Sequence, residues 1–233
     1  MIYSDIPTII NNYNRLTTTK KLVEDLLRLG CTNIIILDNN SDYPPLLEWY
    51  DQTEKNNNKV RLHILDNNLG HKALWKSGLI NHLKSYPYII YTDSDIELNK
   101  RMPKNFIDIL IKLSKEYKFD KIGLAIKIDN LPNNFVGEII KQTEAIYWVN
   151  KLFNKRYELY QGMIDTTFAL FNPNIPFQYS ALRIAGDFTC SHTPWYTDFD
   201  NISEEELYFI NSCNPEISTY AGHYFKHKNK TNG

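Results

Sequence analysis

The stretch Tyr88–Leu98, YIIYTDSDIEL, runs from an apolar segment directly into Asp93-Ser94-Asp95. A strand that ends on two carboxylates flanking a single residue sets like charges side by side, and a polar turn in solvent is the simplest account of them. The neighbouring sequence gives the pair more to do. Upstream, PTIINNYN is a short apolar run ending in polar residues, TNIIILDNNS reads as a buried strand ending at Asp38, and KVRLHILDNNLG gives a third strand. YPYIIYTDSD is then the fourth.

Helical patterns separate these runs. Leu22, Val23, Leu26 and Leu29 recur at helical spacing, with Thr17 or Thr18 as the expected cap and Gly30 as the stop. A further helix of about three turns is expected from His71 to Leu83. Strands alternating with helices predict an α/β fold with a mainly parallel sheet flanked by helices, because parallel neighbours need a crossover. Ligands of such sheets sit beyond the carboxyl ends of the strands. Those ends carry Tyr13, Asn14 and Arg15; Asp38, Asn39 and Asn40; Asn67, Asn68 and Gly70; and Asp93 and Asp95.

A row of carboxylates repels a naked diphosphate but suits one bridged by a divalent cation. Asp93 and Asp95 flank a single residue, so a turn aims both at one hard cation, Mn2+ or Mg2+. Asp38, one strand over, would accept a hydrogen bond from a uracil imide or a guanine edge, and Gly70 would let backbone approach the ligand.

Composition narrows the field. The 233 residues are 42% hydrophobic, enough for one large domain over residues 1–233. A formal net charge of −1 gives no reason to expect nucleic-acid binding. Cys31, Cys190 and Cys213 are odd in number and widely spaced, forming neither a disulfide framework nor a zinc motif. No apolar run reaches bilayer-spanning length and no signal peptide is evident, so a soluble cytoplasmic protein is expected. The basic end HYFKHKNKTNG reads first as a solvated tail and second as a peripheral contact with anionic lipid at the inner face of the membrane.

In order and spacing, PTIINNYNR, IIILDNNS, the run from Asn68 to Gly78 and the Asp93-Ser94-Asp95 triplet resemble the nucleotide-sugar half of family 2-type glycosyltransferases with a GT-A fold. The resemblance covers residues 1–100 and leaves 101–233 as the acceptor-binding half. It implies that Tyr13 and Arg15 hold the base and Asp38 reads its edge. Asp93 would contact the ribose and the metal's water shell, and Asp95 would ligate the metal. Lys76 stands where related sequences often carry Asn or Arg; its ammonium would face the diphosphate, against the plainer reading of an exposed helix lysine.

In the second half KIGLAIKID reads as a strand, and FVGEIIKQTEAIYWVNKLF as a helix with Ile139, Ile140, Ile146 and Val149 inward. MIDTTFALFNP reads as a strand entered through Asp165. Its Asp-Thr-Thr-Phe, and the later His192-Thr193-Pro194-Trp195-Tyr196, resemble a bacterial subgroup of the same family. Trp195 and Tyr196 offer flat faces to an acceptor sugar. The resemblance places His192 on the metal or the diphosphate, and an ordinary structural histidine is the competing reading. Ser203 with Glu206 fits a helix capping box, which gives Glu206 a structural task. Asp165 and Asp187 remain as candidate bases, Asp165 favoured by its strand-entrance position.

The implied activity is metal-dependent transfer of a sugar from a UDP- or GDP-sugar to a saccharide or lipid-linked acceptor, by inversion, in bacterial surface polysaccharide synthesis. Two alternatives compete with it. A sugar-phosphate nucleotidyltransferase should open with a Gly-rich loop, which PTIINNYNR lacks. A non-catalytic nucleotide-sugar-binding protein could lose the metal aspartates, and both are present.

Overall fold

The alternation of apolar runs and helical patterns becomes a mixed α/β sheet. The computed structural model describes residues 5–213 together with Tyr220, Gly222 and Tyr224. The basic stretch that was read as a tail lies, apart from Tyr224, outside the described residues. In chain order the elements are β1 (Thr8–Asn12), α1 (Thr17–Arg28), β2 (Ile34–Asp38), α2 (Pro44–Asn56), β3 (Val60–Ile64), α3 (Ala73–Lys76), β4 (Ile89–Asp93), β5 (Ile96–Leu98) and α4 (Phe106–Tyr117). Then follow β6 (Lys121–Leu124), α5 (Phe135–Ala145), β7 (Lys151–Leu152), β8 (Leu159–Met163), β9 (Ala169–Phe171), β10 (Ser180–Ile184), β11 (Cys190–His192) and α6 (Glu204–Ser212).

The main sheet runs β3-β2-β1-β4-β9-β6-β10-β8-β7. β3, β2, β1 and β4 are mutually parallel, as the crossovers require, so their carboxyl ends share one edge. β9 inserts antiparallel between β4 and β6, and β8 runs against β10 and β7. β1–β4, β6, β7 and β10 therefore share one direction, and β8 and β9 oppose it. A separate ribbon pairs β11 with β5, setting His192 opposite Ile96 and Cys190 opposite Leu98.

One sheet face packs on α1, α2 and α4 through Leu22, Leu26, Leu46, Phe106 and Leu110. Each such side chain contributes about 1.5–3 kcal/mol by leaving water. The other face buries Ile9, Leu37, Tyr91 and Phe171 under Leu74 and Leu83. There the expected helix from His71 to Leu83 is broken into a 3-10 turn at Gly70–Lys72, the short α3 and a second 3-10 turn at Leu79–Leu83. Gly78 at φ +78° separates the last two, a left-handed conformation that only glycine takes without strain.

Two further expectations change. α5 stops at Ala145, so Ile146 and Val149 lie outside it and face solvent, at 59% and 73% exposure. Ile140 is buried as expected. Neither Thr17 nor Thr18 caps α1 with its side chain. Glu205 of α6 does so across the fold: its carboxylate accepts from the backbone N–H groups of Leu16 at 2.8 Å and Thr17 at 2.9 Å. A carboxylate at a helix N-terminus meets unsatisfied donors and the positive end of the dipole.

Candidate metal and nucleotide site

The shared strand edge is knitted by asparagines. Asn39 donates through Nδ2 to Asn11 Oδ1 at 2.7 Å and accepts through Oδ1 from the Leu69 N–H at 3.0 Å, tying the ends of β1 and β2 to the loop after β3. Asn14 sits at φ +49° and accepts from the N–H groups of Asp42 and Tyr43 at 2.9 and 3.0 Å. Sequence reading noted these polar ends without separating the bracing asparagines from ligand-facing ones, since both look alike in a string of letters.

At the end of β4, Asp93 and Asp95 meet His192, with one ligand atom from each lying within 4.8 Å of the others. The β5–β11 ribbon makes this possible. It sets His192 opposite Ile96, and Thr193 then clamps the Asp95 carbonyl through its N–H at 2.9 Å and its hydroxyl at 3.0 Å. His192 Nε2 stands 3.4 Å from Asp95 Oδ1. Among the described residues, Asp95 Oδ1 and His192 Nδ1 are both buried without a hydrogen-bond partner. Burial, and then the charge of Asp95, push the Asp93 carboxyl up to about 8. Burial holds the His192 imidazole below its usual range, against the pull of Asp95.

Around this cluster the proposed site residues separate. Asp165 is exposed in the β8–β9 loop, near enough for its charge to raise Asp93, and its neighbour Thr166 donates to Asp93 Oδ2 at 3.0 Å. Asp187 lies beyond the far end of the β5–β11 ribbon, past Cys190 and Leu98, and pairs with Arg101 at 3.0 Å. The structure thus brings Asp165 to the cluster and holds Asp187 away from it. Trp195 packs its half-buried ring 5.0 Å from the His192 ring, and Tyr196 donates to Asn130 Oδ1 at 2.9 Å.

The β1 end lies under α6. Tyr13 donates to the Ser212 carbonyl at 3.1 Å, meets Phe209 edge-on, and has the Asn68 side chain at its hydroxyl. Arg15 is 3% exposed; it donates to Glu206 Oε2 at 2.8 Å, stacks 3.9 Å over Phe209 and has Nε 3.6 Å from Asp95 Oδ2. Ser203 does accept from the Glu206 N–H at 3.2 Å, but the Glu206 carboxylate goes to Arg15, so only half of the capping box forms. Asn68 Oδ1 accepts from the N–H of Gly70, which sits at φ +73°. Lys76 is exposed and donates to the Leu69 carbonyl at 3.0 Å.

Asp38 is fully buried and accepts from the Ser41 N–H at 2.7 Å, the Ser41 hydroxyl at 2.6 Å and the Tyr50 hydroxyl at 2.7 Å. Removing it leaves a buried hydroxyl and an N–H unpaired. Asp38→Ala is therefore expected to cost about 2–5 kcal/mol in urea unfolding. Wild-type stability in that variant would mean the carboxylate does not brace the β2 end.

Sequence reading missed Lys121. It is 4% exposed at the start of β6 and donates to the carbonyls of Ile164, Asp165 and Gln178 at 2.7, 2.8 and 3.1 Å. Burial pushes its ammonium down to about 8, against the charges of Asp165 and Asp93. A lysine before an apolar run carries no signal of this; only the return of the β8–β9 and β9–β10 loops supplies the carbonyls.

No protein-family model matches the chain, and no curated protein matches its sequence. Among solved structures, the chain is similar to a crystal structure of GalNAc-T7 with UDP, GalNAc and Mn2+. The TM-score is 0.52 at 13% identity, over 81% of this chain and 43% of that one. Also similar are the mannosyltransferase PcManGT from Pyrobaculum calidifontis in complex with GDP-Man and Mn2+ (TM-score 0.48, 11% identity, 95% of this chain and 74% of that one) and HddC from Yersinia pseudotuberculosis complexed with GMP-PN (TM-score 0.49, 14% identity, 88% and 97%). The chain spans less than half the length of the GalNAc-T7 chain. The first of these likenesses establishes the fold: a mixed sheet flanked by helices, of the GT-A type.

Proposed function

We propose that this chain is a metal-dependent glycosyltransferase that moves a sugar from a UDP- or GDP-sugar to a saccharide or lipid-linked acceptor, the polysaccharide context resting on family resemblance. The observation that carries the reading is the meeting of Asp93, Asp95 and His192 at the carboxyl edge of parallel strands, with a buried, unpartnered ligand atom on both Asp95 and His192. Two carboxylates suit Mn2+ or Mg2+, an added imidazole favours Mn2+, and the unpartnered Asp95 Oδ1 is an atom a cation would satisfy. Asp93, Asp95 and His192 would hold the ion, which when bound offsets charge building on the departing nucleoside diphosphate.

The rest of the reaction falls to the chain's own side chains. Tyr13, Asn68 and Gly70 border the place for the nucleoside, while Asp38, expected from the sequence to read the base, is fully buried with both oxygens on Ser41 and Tyr50 and braces the β2 end behind it. Arg15 is a positioning residue: buried under α6, it orients Asp95 from behind through its ion pair. Asp165 takes the proton of the acceptor hydroxyl as that oxygen bonds to the anomeric carbon, while the carbon–phosphate-oxygen bond breaks and its electron pair leaves with the diphosphate. Lys121 fixes the loop that carries Asp165 through its carbonyl contacts. Trp195 and Tyr196 stand on the acceptor side of His192.

Release of nucleoside diphosphate from a panel of UDP- and GDP-sugars, with and without Mn2+, tests the reading. Slow, Mn2+-dependent release of one nucleotide is expected; no release, together with no UDP or GDP binding by calorimetry, would overturn it. The metal site has its own check. Burial beside Asp95 disfavours the charged form of Asp93 without metal, so Asp93→Asn should leave metal-free stability close to wild type. Wild type at a hundredfold excess of Mn2+ over its dissociation constant should gain about 2.7 kcal/mol, and the variant should gain nothing. An equal metal response in both proteins would remove Asp93 from the site.

A further inference from the structure

We infer that the β7 edge of the sheet is a docking surface for an anionic lipid bilayer. Ile146, Val149 and Phe153 are 59%, 73% and 82% exposed within one short segment around β7. This is an unusual concentration of bare apolar side chains, because scattered exposed hydrophobics are ordinary and clustered ones mark contact sites. The segment that presents them is braced. The Phe153 carbonyl accepts from the Tyr117 hydroxyl at 2.6 Å, and Asn154 Nδ2 donates to the same hydroxyl at 3.1 Å. Asn154 Oδ1 also accepts from the N–H groups of Arg156 and Tyr157, both at 2.8 Å. Phe153 is therefore held outward by a fixed backbone.

The charges flanking the trio are mostly cationic, with Glu158 the partly exposed acid beside Lys151. Lys155 and Arg156 are exposed and, among the described residues, neither forms an ion pair; Lys151 pairs with Glu158. From Lys141 to Arg156 the only acid is Glu144, and it is turned inward onto the buried Arg183. Apolar side chains that can enter the acyl boundary, with cations beside them for phosphate headgroups, are the composition of an interfacial membrane anchor. A second copy of this chain fits less well, since a two-fold contact would set the cationic rim against itself. β7 is the outermost strand, five strand spacings or about 24 Å from β4, so docking there leaves the Asp93 edge open. The inference does not depend on the transferase reading.

Co-sedimentation of the full chain with vesicles of phosphatidylcholine, alone or mixed with phosphatidylglycerol, tests it. Wild type should pellet with the mixed vesicles, less so as salt rises, and hardly at all with phosphatidylcholine alone. Val149→Ser with Phe153→Ser, and separately Lys155→Glu with Arg156→Glu, should each weaken binding by at least about tenfold. All four sites are exposed, so unchanged melting of both variants is expected and is the control on folding. Failure of wild type to bind mixed vesicles would overturn the inference. Undiminished binding by both variants would overturn it too, assigning the contact to another surface such as the basic stretch 223–233. So would a wild-type dimer that the serine pair dissociates without any vesicle binding.

Discussion

In Asp165→Asn, transfer to a competent acceptor is expected to fall by at least about a hundredfold while nucleotide affinity stays close to wild type. The change is nearly isosteric and removes the ability to accept a proton together with the carboxylate charge that acts on Asp93 and Lys121. Asp165 is exposed beside the metal cluster, and the contacts of its loop with Lys121 and Asp93 run through backbone carbonyls and the Thr166 hydroxyl, all of which survive the substitution. Asp95→Asn should fail differently, losing nucleotide binding and turnover together, because it removes a ligand atom from the cation site. Asp187→Asn should do neither, since that carboxylate pairs with Arg101 at the other end of the β5–β11 ribbon. The measurement is transfer rate and nucleotide affinity for the three variants with one donor and one acceptor. Full activity in Asp165→Asn with loss in Asp187→Asn would reverse the assignment of the base.

Arg15→Met is expected to lose about 3–5 kcal/mol of stability, the range for breaking one side of a buried ion pair. The guanidinium is buried between the partly buried Glu206 and Asp95 and under the Phe209 ring, so its removal leaves two largely shielded carboxylates without their cation. Much of the loss should return in Arg15→Met with Glu206→Gln, because the second change removes one of those stranded charges. Urea unfolding of both variants gives the comparison. A loss below about 1 kcal/mol in the single variant, the size seen for exposed pairs, would mean that α6 does not seal this edge in solution.

The parallel order of the first four strands was legible because it is written locally: apolar runs of strand length, helical spacing between them, and polar residues at each run's end. The same locality hid the interruptions. The His71–Leu83 segment has the apolar spacing of a helix, yet Gly78 turns left-handed and the packing against Tyr91 and Phe171 takes shorter pieces. Ile146 and Val149 continue the spacing of α5, but the helix stops before them and nothing among the described residues covers them. Glu205 and Glu206 read as one helix's own first turn, while their carboxylates serve α1 and Arg15, about 190 residues away in sequence. Side-chain reach over such separations is not encoded in any window of the sequence.

For the two carboxylates after β4, sequence alone determined that they end a strand at the ligand-binding edge of an α/β sheet and that they suit a hard cation. It also offered His192, nearly a hundred positions away, as a metal or diphosphate residue by resemblance alone, with a structural histidine as the competing reading. The tertiary structure decided where it sits. Antiparallel pairing of β11 with β5 fixes His192 opposite Ile96, so the imidazole lands on Asp95, while the same pairing carries Asp187 past Leu98 and out of reach. A ribbon's register is set by backbone hydrogen bonds between strands distant in sequence, and it is this register that separates a candidate metal ligand from a surface carboxylate.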